Sequence, residues 1–215
     1  MEGPMPHDNH NSPNDESSDL PDEMTLRVKS LETILTKKGL IDPKTLDEII
    51  DFYSNKVGPQ NGAYVVAKSW TDDKFRTQIL KDPDKVLKEL GFFGRQGEHV
   101  VVLENTTEVH NLVVCTLCSC YPWPLLGLPP SWYKSDEYRS RSVREPREVL
   151  REFGFNIPDE QSIKVWDSTA EIRYLVLPMR PEGTHGMSLE ELSSLVTRDS
   201  MIGAGNPISP GRTDE

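Results

Sequence analysis

The stretch Val113-Val114-Cys115-Thr116-Leu117-Cys118-Ser119-Cys120-Tyr121-Pro122-Trp123-Pro124 holds all three cysteines of a 215-residue chain within six positions. Upstream, the run from Val109 to Val114 is rich in β-branched residues and reads as a strand. Downstream, Pro122 and Pro124 block any helix continuing out of the cysteines. The thiols therefore sit on a loop at a strand end. Three thiols this close are not independent core cysteines; they bind something, are oxidised, or both. An odd count leaves one thiol over in any disulfide framework. Cys118 and Cys120, one residue apart, bridge each other only with strain. Metal ligation is the better reading.

Working outward, the period of the apolar residues changes near residue 95. Before it, short amphipathic helices follow one another. Residues 24–38 carry Val28, Leu31, Ile34 and Leu35 on one face and stop at Gly39. Asp42-Pro43 opens a second helix, with Leu46, Ile49, Ile50, Tyr53 and Val57 as its stripe, ended by Gly58-Pro59. Helices follow over 63–70, from Thr71 or Asp72 with Phe75 and Ile79 inward, and from Asp82-Pro83 to Gly91. The first two helices have little around them to pack on and read as an arm that lays its apolar face on another subunit.

After residue 95 the segments 99–104, 109–114, 162–166 and 171–177 are β-rich, with a helical pair at 135–143 and 146–153. Ser188-Leu189-Glu190-Glu191 is a capping box opening a last helix toward Arg198. Grouped strands with flanking helices predict an α+β fold. The expected organisation is a disordered tail over 1–20, a helical arm over 21–60, a metal-binding catalytic domain over 61–205 and a flexible tail over 206–215.

Apolar residues make up 35% of the chain, aromatics 7%, and the net charge is −11; mean hydropathy is −0.55. This balance argues against a nucleic-acid binder, which needs a basic face. No apolar run is long enough to span a bilayer, and the acidic, Asn/Ser/Pro-rich start lacks the apolar core of a signal peptide. A cytoplasmic location, with no membrane, is the expectation.

A structural zinc site wants four ligands. Here three thiolates exist, and none of His7, His10, His99, His110 and His185 has knuckle spacing to them. An iron–sulfur cluster fails on the same count. Cys118-Ser119-Cys120 permits another arrangement. If the amides of Ser119 and Cys120 lose their protons, the tripeptide becomes a planar claw of two sulfurs and two nitrogens. Cys115 then supplies an axial thiolate and the sixth position stays open, the mark of a catalytic metal. Deprotonating an amide calls for a strongly Lewis-acidic trivalent ion such as Co(III) or Fe(III). Exposed thiolates also climb the oxidation ladder to sulfenic and sulfinic acids.

The motif from Val114 to Cys120, followed by Tyr-Pro-Trp-Pro-Leu-Leu-Gly-Leu-Pro-Pro-Ser-Trp-Tyr-Lys134, closely resembles the α subunit of nitrile hydratase. The likeness extends over residues 57–59, 63–70, 96–98, 138–141, 143–147, 165–168 and 195–203. It implies hydration of a nitrile to its amide at a non-corrin Co(III), with Fe(III) as second choice. Thr116 and Tyr121 look like the cobalt class. It further implies Cys115, Cys118 and Cys120 as sulfur ligands and Ser119 and Cys120 as backbone-nitrogen ligands. Cys118 would be the sulfinic and Cys120 the sulfenic acid. Gln96 and Trp123 would face the substrate cavity, with Ser119 beside the metal. Asp167, Glu171 and Arg173 would form an outer hydrogen-bond network. The implied fold is a helical arm followed by a layered α/β/β/α domain carrying the metal loop. The implied partners are a β subunit, giving αβ heterodimers paired as α2β2, an activator or metallochaperone protein, and small neutral nitriles.

Plainer readings stand beside these. Trp123 and Trp132 also suit a core or an interface. Arg139, Arg141, Arg144, Arg147 and Arg151 suit a solvated helix face or an interface. Asp167, Glu171 and Arg173 suit an ordinary surface network. Two other functions compete: a thiocyanate hydrolase γ-type subunit, in which an arginine tends to stand where Trp123 does, and a non-catalytic metal-binding or redox-sensing subunit.

Overall fold

The computed structural model describes residues 23–94 and 99–210. The chain divides into two compact units between Leu46 and Asp47. In the first, α1 (Glu23–Lys37) buries no residue, and Leu31 and Ile34 are more than half exposed. Gly39, at φ +67°, ends it in the left-handed conformation that glycine adopts without strain. Helix α2 (Pro43–Asp51) straddles the division and continues as a π-helical turn, Phe52–Val57. Residues 47–60, grouped with the arm on sequence grounds, thus lie in the larger unit.

That unit continues with α3 (Gln60–Thr71), α4 (Asp73–Lys81) and α5 (Pro83–Glu89). Asp72 and Asp82 cap α4 and α5 by accepting from the Phe75 and Lys85 amides. Strands β1 (Val100–Glu104) and β2 (Val109–Val114) follow. Next come a one-turn helix α6 (Trp123–Leu126), a 3-10 turn (Trp132–Lys134), α7 (Asp136–Arg144) and α8 (Pro146–Glu152). Strands β3 (Ser162–Asp167) and β4 (Arg173–Leu177), helix α9 (Leu189–Ser194) and a 3-10 turn (Ser200–Ile202) complete the order.

The fold is α+β, and its strands form two separate two-stranded parallel sheets, β1 with β4 and β2 with β3. Helices α4 and α5 pack on β1; β2 packs against β1 and β4; α7 and α8 cover β2 and β3. The layers therefore run helix, sheet, sheet, helix. The core lies between them, with Val65, Val66, Ile79, Leu112, Val114, Leu150, Leu175 and Val176 fully buried. A buried polar network ties the two sheets together. Asn111 donates to the Glu104 carbonyl (2.8 Å) and accepts from the Trp166 indole (2.9 Å). Asn105 accepts from the Asn111 amide, while its own side-chain amide meets His110 Nδ1 at 3.1 Å. His110 Nε2 then donates to the Gly203 carbonyl at 2.7 Å.

No helix continues out of the cysteines over 115–122; Pro122 precedes a separate turn of helix and Pro124 sits at its second position, where proline lacks only an N–H that would be unpaired anyway. Two local expectations meet a different outcome. The capping box forms, Ser188 and Glu191 each bonding the other's backbone, but α9 stops at Ser194 instead of running toward Arg198. Ser193 and Ser194 turn their hydroxyls back onto the carbonyls of Leu189 and Glu191, a competition that weakens a helix end. Within the segment expected as a tail, Pro207 is buried and the Ile208 amide donates to the Leu195 carbonyl.

Candidate metal centre

Strands β2 and β3 run in parallel, with Val114 opposite Asp167 in the last register pair. Side chains at the carboxyl ends of parallel strands converge on a common edge, the usual place for a site in such sheets. Both strand ends hold the loop that follows. The Ser168 amide donates to the Val114 carbonyl at 2.7 Å. Asp167 receives the Thr116 amide at 2.9 Å on one oxygen and the Thr116 hydroxyl at 2.5 Å on the other. A carboxylate accepting twice from one residue fixes that residue's orientation as well as its position.

Aromatic side chains hold the loop from beneath. Tyr138 donates to the Val113 carbonyl (2.8 Å) and Tyr133 to the Cys120 carbonyl (3.0 Å). Their rings pack edge-on with Trp132 and Tyr121 in one cluster. Arg139 reaches the Cys118 carbonyl at 3.5 Å. A cleft of about 440 Å³ lined by Thr116, Asp136, Arg139, Ser140, Val143 and Arg144 opens beside the loop.

With the carbonyls so engaged, the sulfurs turn inward on one another. The three Sγ atoms lie within 4.8 Å of each other, Cys115 to Cys118 at 3.5 Å and Cys118 to Cys120 at 3.1 Å. Cys115 and Cys120 are buried and Cys118 is exposed. Thiolates bonded at about 2.3 Å to one ion sit about 3.3 Å apart at a right angle and about 3.8 Å apart at the tetrahedral angle. The two observed separations are short enough for the sulfurs to share one ion. The amides point the same way. Among the described residues neither the Ser119 nor the Cys120 amide donates to an oxygen, and both favour the Cys118 thiolate. The two amides thus stand beside the Cys118 thiol of a three-sulfur cluster.

The thiols differ in acidity. Contact with the Cys120 thiol, then with Cys115 and the two amides, holds Cys118 below the ordinary thiol value despite some desolvation. Burial, then the Cys118 contact, pushes Cys120 up to about 12, against the pull of the Arg173 charge. Of these two thiols, Cys118 ionises before Cys120.

The other expected site residues are placed as follows. Ser119 is half-buried inside the motif. Trp123, also half-buried, opens α6 three positions beyond Cys120. Gln96 lies outside the described residues. Asp167 touches the loop directly, whereas Arg173 is buried on β4 and donates to the Thr169 and Ile172 carbonyls. The Glu171 side chain is exposed. Of the arginine series, Arg141 pairs with Glu145 and Glu152 and Arg151 with Glu148, as a solvated face would. Arg147 binds the carbonyls of Ile157, Pro158 and Gln161. Trp132 is half-buried against the core, edge-on to Tyr138 and tilted against Phe153. Tyr133 and Tyr138 escape sequence reading, since a hydroxyl aimed at a distant carbonyl leaves no periodic signal.

The nitrile hydratase, alpha chain, family model matches residues 22–205, nearly all of the described chain and the whole cysteine motif. The chain belongs to the nitrile hydratase alpha-chain family. The cobalt-containing nitrile hydratase subunit alpha of Pseudonocardia thermophila is 56% identical over 182 residues, 84% of this chain and 89% of that one. A solved double mutant of the Fe-type nitrile hydratase from Comamonas testosteroni Ni1 superposes with a TM-score of 0.81 at 41% identity, covering 91% of this chain and 96% of that one. The thiocyanate hydrolase subunit gamma of Thiobacillus thioparus is more distant: 39% identical over 202 residues, 89% of this chain and 80% of that one.

Proposed function

We propose that this chain is the α subunit of a cobalt nitrile hydratase, a hydro-lyase that adds water to a nitrile to give the amide. One observation carries the reading: three cysteine sulfurs cluster within 4.8 Å, with the Ser119 and Cys120 amides directed at the Cys118 sulfur. Cys115, Cys118 and Cys120 supply sulfur and Ser119 and Cys120 supply nitrogen to a low-spin Co(III). When bound, that ion supplies the Lewis acidity that makes a nitrile carbon electrophilic. Cys118 carries a sulfinic and Cys120 a sulfenic acid, which drain charge from the ligand set.

The chain's own residues arrange the surroundings. Asp167 and Thr116 hold the outer lip of the loop, and Tyr133 holds its inner end through the Cys120 carbonyl. Trp123 offers a neutral, apolar wall that excludes water and suits small uncharged nitriles rather than an anion. Ser119 stands beside the metal, and Gln96 is assigned to the substrate cavity on the resemblance alone. The exposed faces of α1 and α2 dock on a β subunit, within an α2β2 assembly, and an activator protein loads the metal. Among the described residues no helix is long and apolar enough to cross a membrane, which accords with a cytoplasmic enzyme.

Metal analysis of the co-expressed complex, paired with mass spectrometry of the cysteine peptide, tests the assignment. Stoichiometric cobalt, two added oxygens on Cys118 and one on Cys120, with nitrile hydration, are expected. Zinc with three unmodified thiols would overturn it.

A further inference from the structure

Trp123 is held at its backbone from three sides. Its carbonyl accepts from the Gly127 amide (2.9 Å), Asn61 donates to the Pro124 carbonyl (2.8 Å), and Arg198 donates to the Leu126 carbonyl (3.2 Å). None of these touches the indole. Among the described residues the aromatic ring packed on it is Tyr53, edge-on at 5.3 Å and 64°.

Tyr53 is itself placed with little freedom. It lies in the π-helical turn Phe52–Val57, and such turns redirect side chains at functional sites. Its backbone meets the end of α6 directly: a Cβ on Gly127 would fall 2.5 Å from the Tyr53 carbonyl oxygen, and one on Gly58 would fall 2.3 Å from the Gly127 Cα. Two glycines thus let two backbones touch, and the contact sets where the Tyr53 ring stands relative to α6. Neither the cysteine loop nor the core accounts for that arrangement.

We propose that Tyr53 positions the Trp123 ring and thereby sets the size limit of the nitrile pocket. The inference rests on the reading of Trp123 as a pocket wall. With Tyr53 in place the indole stands in one orientation and crowds a bulky substituent. Without it the indole turns into the space the phenol vacates, and the wall recedes.

The test uses the metal-loaded complex with its co-expressed partner chain, comparing kcat/KM for acetonitrile and benzonitrile. Tyr53→Ala raises the benzonitrile-to-acetonitrile ratio about tenfold, the scale of one misfitted group in an apolar pocket. The change lies in the benzonitrile KM, while kcat for acetonitrile, cobalt content and the melting temperature stay near parental values. Tyr53→Phe, which keeps the ring, keeps the parental ratio. In a Trp123→Ala background Tyr53→Ala adds nothing. If Tyr53→Ala does not assemble, Tyr53→Leu carries the same expectation. A shifted ratio in Trp123→Ala with an unshifted one in the Tyr53 variants overturns the positioning role alone. An additive Tyr53 effect in the Trp123→Ala background overturns it too, since Tyr53 would then act by another route. An unshifted ratio in Trp123→Ala overturns the pocket-wall reading, and the inference with it.

Discussion

Replacing His110 by alanine cuts the polar network that joins the two sheets, and its cost follows from the partners left behind. Asn105 Oδ1 is pinned by the Asn111 backbone and side-chain amides (2.8 and 3.0 Å), so its NH2 must face His110 Nδ1. His110 Nδ1 therefore accepts and Nε2 carries the proton toward the Gly203 carbonyl, which makes the ring neutral. Alanine strands a buried amide and a buried carbonyl, each costing about 1–3 kcal/mol. Loss of the edge contact with Phe155 (5.2 Å) adds about 0.5–1 kcal/mol. The sum is about 2.5–7 kcal/mol, set against a typical total of about 5–15 kcal/mol. For a chain of this size each kcal/mol lowers the melting temperature by roughly 2–4 °C. The same geometry predicts a pH signature. Burial, outweighing the Gly203 hydrogen bond, depresses the His110 pKa below the ordinary 6.5. As pH falls through 6.5 the unfolded chain takes up a proton that the folded chain refuses. Stability is therefore full above 6.5 and is lost on acidification, at up to about 1.4 kcal/mol per pH unit, until the folded pKa is passed. Thermal unfolding of parent and variant between about pH 7.5 and about pH 5.5, followed by circular dichroism, measures both effects. Comparing the two proteins cancels titrations they share, including that of the thiols. A variant within about 1 kcal/mol of the parent, with an unchanged acid slope, would refute the network's role.

Asp167→Ala releases the Thr116 amide and hydroxyl at an exposed position, so stability falls by only about 1 kcal/mol. Metal retention against a chelator falls steeply, with Asp167→Asn intermediate by metal analysis. Gly203→Ala must adopt a φ of +79° and brings a Cβ to 1.8 Å from the Asn111 carbonyl oxygen, on backbone that cannot yield. A loss above about 3 kcal/mol in urea unfolding is expected. In metal-free, unoxidised protein at mildly alkaline pH, alkylation and peptide mapping find Cys118 modified ahead of Cys120. Cys118 is the exposed thiol of lowered pKa, whereas Cys120 is buried and raised to about 12.

The cysteine cluster was legible because it is local. Cys115, Cys118 and Cys120 fall within six residues, and chelate geometry between neighbouring residues follows from covalent structure alone. Strand β2 was legible for a similar reason, its β-branched run ending where the loop begins. What the chain does over longer separations was hidden. Parallel pairing of β2 with β3 brings Asp167 to Thr116 across 51 residues, and no spacing rule specifies that register. Tyr133 and Tyr138 reach loop carbonyls 13 and 25 residues away in the same unannounced manner. The π-helical turn at Phe52–Val57 reads as plain helix, because the stripe through Tyr53 and Val57 continues that of α2. Its widening accompanies the Gly58–Gly127 backbone contact, a tertiary event.

Charge at the centre shows what the chain does not do alone. In the proposed ligand set, three thiolates and two deprotonated amides would carry five negative charges, so a trivalent ion would leave two uncompensated, in a chain already at −11. The proposed oxygenation of two sulfurs would spread that charge outward onto oxygens rather than remove it. Within the chain, Arg173 acts on Cys120 from a buried strand position, and Arg139 spends a donor on the Cys118 carbonyl. Both stand behind or beside the loop. Its outer face presents Leu117, 85% exposed, and the exposed Cys118. An apolar tip next to anionic oxygens is poorly served by water, and its best complement is a surface with an apolar recess beside one or more arginines, which bind such oxygens in pairs. A β subunit placed there would neutralise the centre and bury Leu117 in one contact. Leu117→Asp in this chain should then weaken assembly and metal retention together, while leaving the melting temperature of the separated chain unchanged. Weakened assembly with the metal fully retained would separate the two and refute that account.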